Sequence, residues 1–183
     1  RFGIGADQVL LLGDSPKADF KMRIFNADGS EVEMCGNGIR CLGKFIWDNI
    51  INSETLKIKK NLNFLSIETL AGIIYLQKSG RLIKVNMGEP ILEPEKIPVK
   101  ISQRSAIVNY PLKIKDKTFK ITCVSMGNPH AVIVVKDVRS VPLSHYGPII
   151  ENHRLFPKRT NVEFIQILNR TNIKMRVWER GAG

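Results

Sequence analysis

Short apolar runs of strand length, separated by turn residues, recur along the chain and constrain its fold more than any other feature. Runs of four to eight residues rich in β-branched and aromatic side chains are typical of strands. Turn pairs such as Asp28-Gly29 and Ser79-Gly80 separate some of them. The predicted strands are residues 9–12, 20–25, 65–68, 72–77, 82–85, 119–124, 131–135, 162–168 and 173–178. We therefore expect a protein that is mostly strand.

The clearest helix signal follows the turn at residues 35–38. Apolar or small residues at helical spacing then predict one buried stripe, formed by Ile39, Leu42, Gly43, Ile46 and Ile50. A second helix is predicted over residues 144–152. Three prolines between residues 87 and 98 indicate a linker between two domains, 1–92 and 93–183.

The two halves contain similar segments, 23–29 and 176–183. Each has an arginine, two apolar strand residues, a polar pair and a glycine turn. In the first half Cys35 lies twelve residues after Arg23, and the same spacing after Arg176 gives position 188. We therefore expect a duplicated fold with two equivalent turn-to-helix junctions, and we expect this chain to be a fragment of a longer protein.

Charge and length limit the kinds of partner. The net charge is +11 at pH 7 in 183 residues, which raises the question of nucleic acid. In the densest basic segment, residues 113–120, lysines mostly alternate with apolar residues, so we favour a strand with one solvent-exposed face over a nucleic-acid site.

No apolar run approaches the roughly 18 residues of a membrane span, and no leader opens the chain. A cytoplasmic protein is the expectation.

Three cysteines provide the first candidates for chemistry. Cys35 precedes a glycine-rich helix start, where free backbone N–H groups and the helix dipole favour negative charge. The thiolate is the form of cysteine that acts as a base or nucleophile, so catalysis and a buried turn are equally consistent with this position. We expect Cys41 and Cys123 to be core residues. The spacing matches neither a disulfide framework nor a zinc site.

Two further polar clusters are weaker signals alone. His130 ends a Gly-Asn-Pro turn before the apolar run 131–135, where it could tune a thiol or bind a carboxylate, although a satisfied turn residue is commoner. Glu179 and Arg180 follow the last predicted strand, where an ordinary surface pair would also fit.

Six segments together resemble the diaminopimelate epimerase family, in the family's order. They are residues 3–8, 25–31, 34–41, 127–130, 160–163 and 179–183. The resemblance implies an α/β (α+β) fold of two pseudo-symmetric domains, each a barrel-like, mostly antiparallel sheet around a central helix. It also implies a homodimer, and conversion of LL-diaminopimelate to the meso form for lysine and peptidoglycan synthesis without a cofactor or metal.

By the same resemblance, Cys35 is one of two catalytic cysteines that face the substrate α-carbon from opposite sides, and His130 and Glu179 support the two thiols. The matching substrate-binding positions are Gln8, Asn26, Gly36, Asn37, Asn128, Asn161, Glu179 and Arg180. The family's N-terminal Gly-Asn-Asp-Phe segment and the second cysteine are missing from the chain.

Several alternatives stay open. Proline racemases and phenazine-type isomerases share the fold, although the Asn-Ala-Asp-Gly-Ser-Glu and Glu-Arg-Gly-Ala-Gly runs favour the diaminopimelate enzyme. A catalytically dead binding module is an alternative of another class, and it predicts no cysteine near position 188 of the full-length protein. A nucleic-acid-binding role is the third.

Overall fold

A computed structural model describes residues 5–51, 63–115 and 117–180. The chain divides into two compact units, unit 1 at Arg1–Gly88 and unit 2 at Glu89–Gly183. The domain boundary expected between residues 92 and 93 stays a prediction for the longer protein. No helix in the described ranges is long and apolar enough to cross a bilayer.

Unit 1 is built on a mixed sheet. Its strands are β1 (Gln8–Gly13), β2 (Phe20–Asn26), β3 (Glu31–Val32), β4 (Phe64–Thr69), β5 (Gly72–Ser79) and β6 (Leu82–Asn86). The order is β1-β2-β4-β5-β6, and β3 pairs with β2. β2 and β4 are parallel, whereas the other neighbours are antiparallel. All five strands predicted in this half are present, and the short β3 was not predicted.

Helix α1 (Gly36–Phe45) packs on this sheet and continues into a π-helical turn, Ile46–Ile51. The predicted stripe is confirmed at its first four positions, which are buried, while Ile50 is partly buried. A Cβ on Gly43 would come within 2.5 Å of the Leu76 side chain, so glycine lets the helix approach β5 closely. The prediction of a core position for Cys41 is wrong. Cys41 lies off the stripe, beside the exposed Arg40, and faces solvent.

Unit 2 has a second mixed sheet. Its strands are β7 (Tyr110–Ile114), β8 (Lys117–Ser125), β9 (Pro129–Val134), β10 (Asn161–Ile167) and β11 (Ile173–Trp178), in the order β11-β10-β9-β8-β7. β9 and β10 are parallel, and the other pairs are antiparallel. Helix α2 (Leu143–Glu151) confirms the second predicted helix. A Cβ on Gly147 would lie 2.5 Å from Cγ of Trp178, so α2 sits directly on β11.

The basic segment 113–120 is two strands rather than one. β7 ends at Ile114, and Lys115 has a left-handed backbone (φ 55°) in the turn before β8. The expected solvent-exposed face is confirmed, since the lysines of both strands are exposed while Leu112, Ile114 and Phe119 are buried. The sequence pattern missed the turn because alternation continues on both sides of it.

Within the proline-containing segment expected to be a linker, residues 91–97 pack on unit 2. Ile91 and Ser125 exchange two backbone hydrogen bonds, each 2.9 Å. Pro94 and Ile97 are buried, and Ile97 belongs to the unit 2 core. The prolines therefore mark an irregular segment that is anchored to the second sheet.

The hairpins β1–β2 and β10–β11 have the same register. Val9 lies opposite Phe25 in the first, and Val162 lies opposite Trp178 in the second. Both pairs are related by a shift of 153 residues, which is also the shift between the two similar sequence segments. The strand pairing therefore supports the internal duplication that the sequence suggested.

Candidate functional site

Cys35 is the N-cap of α1. Its backbone is extended (φ −139°, ψ 109°), and its Sγ accepts a hydrogen bond of 3.2 Å from the Gly38 N–H. A Cβ on Gly38 would lie 3.0 Å from the Leu10 side chain and 3.4 Å from Sγ, so only glycine fits this turn without displacing a neighbour. Gly36 has no such constraint, since its nearest neighbour would be Met87 at 3.8 Å. The thiol is half-buried at a helix start, where the Gly38 N–H points at its sulfur.

Gln8 and Asn26 face each other across β1 and β2. The Gln8 side-chain amide donates to Asn26 Oδ1 at 3.0 Å, and the Asn26 amide donates to Ser30 Oγ at 3.1 Å. Asn26 is buried, whereas Gln8 is partly exposed. The pair therefore fixes the end of the hairpin beside the turn after β2. Asn37 is exposed, and its Oδ1 accepts from Arg40 in the first turn of α1.

In unit 2 the predicted residues His130 and Asn128 lie together. His130 Nε2 is 2.9 Å from Asn128 Oδ1. The other ring nitrogen, Nδ1, is 2.6 Å from Oε1 of Glu163, a buried residue of β10. A carboxylate–imidazole pair thus stands at the start of the parallel strands β9 and β10.

Asn161 connects three parts of the same region. Its side-chain amide donates to the Pro129 carbonyl at 3.0 Å, and its Oδ1 accepts from the Arg180 backbone N–H at 2.9 Å. The Arg180 guanidinium donates to the Lys158 carbonyl at 3.3 Å. Asn161 is buried, so both ends of its amide hold backbone in place. These bonds bring the chain after β11 to the cluster that contains His130.

The structure does not place Glu179 beside the imidazole of His130. Glu179 is exposed, and the carboxylate that contacts His130 belongs to Glu163. The sequence assigned no role to Glu163, although it is an acidic residue within an apolar strand, which was the available signal. The role of Glu179 as a support for a thiol stays a prediction.

The third cysteine is a core residue, as predicted. Cys123 is fully buried in β8, and burial raises the pKa of its thiol to about 12. Cys123 is therefore unsuited to proton transfer near neutral pH. Within the described residues, no group of three or more His, Cys, Asp or Glu side chains gathers as a metal site would require.

The family model described as diaminopimelate epimerase matches residues 1–93 and 122–183. The chain belongs to the diaminopimelate epimerase family. It is 53% identical to the diaminopimelate epimerase of Acetivibrio thermocellus and 49% identical to that of Methanococcus maripaludis. Each comparison covers all of this chain and 64% of the relative, so the chain spans less than two thirds of the length of these proteins.

Solved structures of lower identity share the fold. A hydroxyproline epimerase from Agrobacterium vitis aligns with a TM-score of 0.63 and 13% identity, over 93% of this chain and 52% of that protein. A phenazine biosynthesis protein of the PhzF family from Bacillus anthracis aligns with a TM-score of 0.56 and 17% identity, over 96% and 58%. The predicted α/β (α+β) fold class is confirmed: the described residues form two mixed, mostly antiparallel sheets with few helices, and these neighbours share the fold.

Proposed function

We propose that the full-length protein is a cofactor-independent isomerase that converts LL-diaminopimelate to meso-diaminopimelate. Membership of the diaminopimelate epimerase family supports the substrate and the reaction. The observation that carries the chemistry is the position of Cys35, whose sulfur caps a helix and accepts a backbone N–H at 3.2 Å. A lysine and peptidoglycan precursor pathway and a homodimer are expectations that rest on the resemblance alone, and a cytoplasmic location is an expectation from the sequence.

In the proposed reaction Cys35 works as one of two opposed thiols. As thiolate it takes the α-proton, and a thiol on the opposite face of the carbon donates a different proton, which inverts the centre. The second thiol is expected at position 188, beyond the last residue of the chain. The carbanion that develops between these steps needs preorganised donors, and the first-turn N–H groups of Gly36 and Asn37 are suitable for the adjacent carboxylate.

The predicted binding residues divide between the units. Gln8 and Asn26 are proposed for the substrate in unit 1, and Asn128 and Asn161 in unit 2. The Arg180 guanidinium is proposed for the distal carboxylate, because its planar donors suit a bidentate contact. The Asn161 amide already holds Pro129 and Arg180 backbone, so we expect it to act mainly by orienting them.

Deuterium exchange tests the proposal. The full-length protein in deuterated water should invert LL-diaminopimelate and place deuterium at the inverted α-carbon, observed by NMR and chiral chromatography. Cys35→Ala should lower the rate by at least about a thousandfold, the scale of losing a group that transfers the proton. Cys41→Ala is the matched control, since Cys41 lies on the same helix but faces solvent. It should retain the wild-type rate.

Other outcomes separate the alternatives. Full turnover by Cys35→Ala would reject Cys35 as a base. Inversion of proline or hydroxyproline instead of diaminopimelate would favour a proline racemase-like enzyme. Binding of diaminopimelate without inversion or exchange, together with no cysteine near position 188, would identify a binding module.

A further inference from the structure

Glu163 has an arrangement that the family resemblance leaves unexplained. Its side chain is only 8% exposed, and one oxygen, Oε1, lies 2.6 Å from His130 Nδ1. The other oxygen, Oε2, is buried and has no hydrogen-bond partner among the described residues. A buried carboxylate loses hydration, and a single partner compensates for only part of that loss. A purely structural role would be better served by an apolar side chain.

The duplicated hairpin supports this point. The shift of 153 residues that relates the two hairpins takes Leu10 of β1 to Glu163 of β10. Leu10 packs into the core of unit 1. This strand position therefore accepts an apolar residue in the same fold. The Glu163 carboxylate is not required for the strands to pair, which indicates a different role for it in unit 2.

The equivalent position in unit 1 also indicates what Glu163 lies close to. The Leu10 side chain lies beside the N-terminal turn of α1, 3.0 Å from where a Cβ on Gly38 would be. That turn carries Cys35, and the same shift takes Cys35 to position 188. The duplication thus places the pair of Glu163 and His130 on the strand face where the second thiol is expected.

The hydrogen bonds of the ring define its protonation. A carboxylate oxygen only accepts, so His130 Nδ1 must carry the proton that it shares with Glu163. The ring is then fixed with Nε2 beside the Asn128 side chain, 2.9 Å from Oδ1. Because Nε2 of a neutral ring protonated at Nδ1 only accepts, the Asn128 amide must present its NH2 group to Nε2 in this state, with its oxygen and nitrogen exchanged. A neighbouring carboxylate that selects one tautomer of a histidine is a known means of preparing the other nitrogen for chemistry.

We propose that Glu163 is a positioning residue: it holds His130 with the proton on Nδ1, so that Nε2 stays unprotonated beside Asn128, on the strand face where the second thiol is expected. The role in turnover rests on the proposed function, since it assumes that His130 supports proton transfer. The orientation and tautomer of the ring, however, can be measured without substrate.

Histidine nitrogen NMR of the substrate-free, full-length protein tests the ring state. The wild-type signal of His130, assigned by its loss in His130→Asn, should show a protonated Nδ1. Glu163→Gln should move the proton to Nε2, because the glutamine amide can turn and donate to Nδ1. An unprotonated Nδ1 in the wild type, or the same ring state in Glu163→Gln, would overturn the proposal.

Kinetics of the same variants test the consequence. Glu163→Gln should lower kcat for inversion by about 10- to 100-fold, the scale for losing a residue that orients an imidazole, with KM changed less than about twofold. Glu163→Asp keeps the charge and should restore part of kcat and the Nδ1 proton. A loss in KM alone, or no recovery in Glu163→Asp, would contradict a positioning role.

Glu151→Gln is the matched control for burial. Glu151 is as buried as Glu163, but its Oε2 accepts from the Trp178 indole at 2.8 Å. Its substitution should leave the His130 tautomer unchanged, and a shift of the tautomer there would reject the specific role of Glu163. If the wild-type protein does not invert diaminopimelate, the proposed function fails while the NMR result still decides the role of Glu163 in holding the ring.

Discussion

Hairpin β1–β2 of unit 1 and hairpin β10–β11 of unit 2 pair their strands in one register, yet they bury opposite faces. On the face of β1 that carries Val9 and Leu11, these side chains are 51% and 49% exposed. The equivalent residues of β10, Val162 and Phe164, are fully buried. Helix α2 accounts for this difference, because it packs against the same face of β10–β11.

The other face shows the reverse. Met22 of β2 is 1% exposed beneath α1, whereas the equivalent Met175 of β11 is 56% exposed. Strand pairing and helix cover are therefore separate determinants. The duplicated sequence fixes the register of each hairpin, while the helix described in each unit decides which apolar face becomes core.

Substitutions on the face of β10–β11 beneath α2 should give the largest difference in unfolding free energy between equivalent residues of the two units. Phe164→Ala removes a fully buried ring and should cost about 3–5 kcal/mol of unfolding free energy. Leu11→Ala, at the equivalent half-exposed position, should cost less than about 1 kcal/mol. Urea unfolding of this chain, followed by Trp178 fluorescence for unit 2 and Trp47 fluorescence for unit 1, measures both costs. Equal costs would mean that Leu11 is covered in solution.

On the other face of the two hairpins, the larger loss of unfolding free energy should fall in unit 1, and the difference between equivalent residues should be smaller. Met22→Ala should cost about 2–4 kcal/mol because it leaves a cavity beneath α1. Met175→Ala should change the unfolding free energy by no more than about 0.5 kcal/mol. The same urea titrations apply, with hydrogen exchange of peptides from each unit as a check. A large loss of unfolding free energy in Met175→Ala would show that the face of β10–β11 that carries Met175 is also covered in this chain.

The smallest expected effect is a difference in the response of the two units to acid. Burial, and secondarily Arg154, lower the pKa of His153 in unit 2 below 6.5. The unfolded chain therefore takes up this proton first, and the stability contribution present above about pH 6.5 is lost as the pH falls through the folded pKa. In unit 1 the hydrogen bonds from Arg23 to Glu31 and from Ser15 to Glu68 lower the pKa of each carboxyl below 4.5.

Unit 2 should accordingly lose a little of its hydrogen-exchange protection between about pH 6.5 and 4.5. Unit 1 should begin to lose its protection only below about pH 4.5. Hydrogen-exchange protection factors of peptides from each unit, measured across this range, provide the test. His153→Asn should abolish the early loss in unit 2. Loss in both units at the same pH would contradict the assignment.

Features set by local sequence were predictable. Nine of the eleven described strands followed from short apolar runs, and α1 followed from a stripe at helical spacing, because both patterns are read within one element. Cys41 was misplaced because a position inside a helix does not itself determine the buried side. The Lys115 turn was missed because it interrupts an alternation without a glycine or proline.

Part of the candidate site depended on contacts that no local pattern contains. Glu163 and His130 are 33 residues apart and meet because β9 and β10 are parallel neighbours. The contact of Gln8 with Asn26 likewise depends on the register of a hairpin. Family motifs in the sequence indicated candidate polar residues in unit 2, but not that a buried carboxylate contacts the imidazole.

The capping role of Cys35 has a consequence for how the proposed base and the helix depend on each other. One sulfur serves both as the acceptor that completes the first turn of α1 and as the atom proposed to take the proton. The hydrogen bond from the Gly38 N–H to that sulfur therefore ties the position of the proposed base to the first turn of the helix. A substitution that frays the first turn of α1 should then also displace the atom proposed to take the proton.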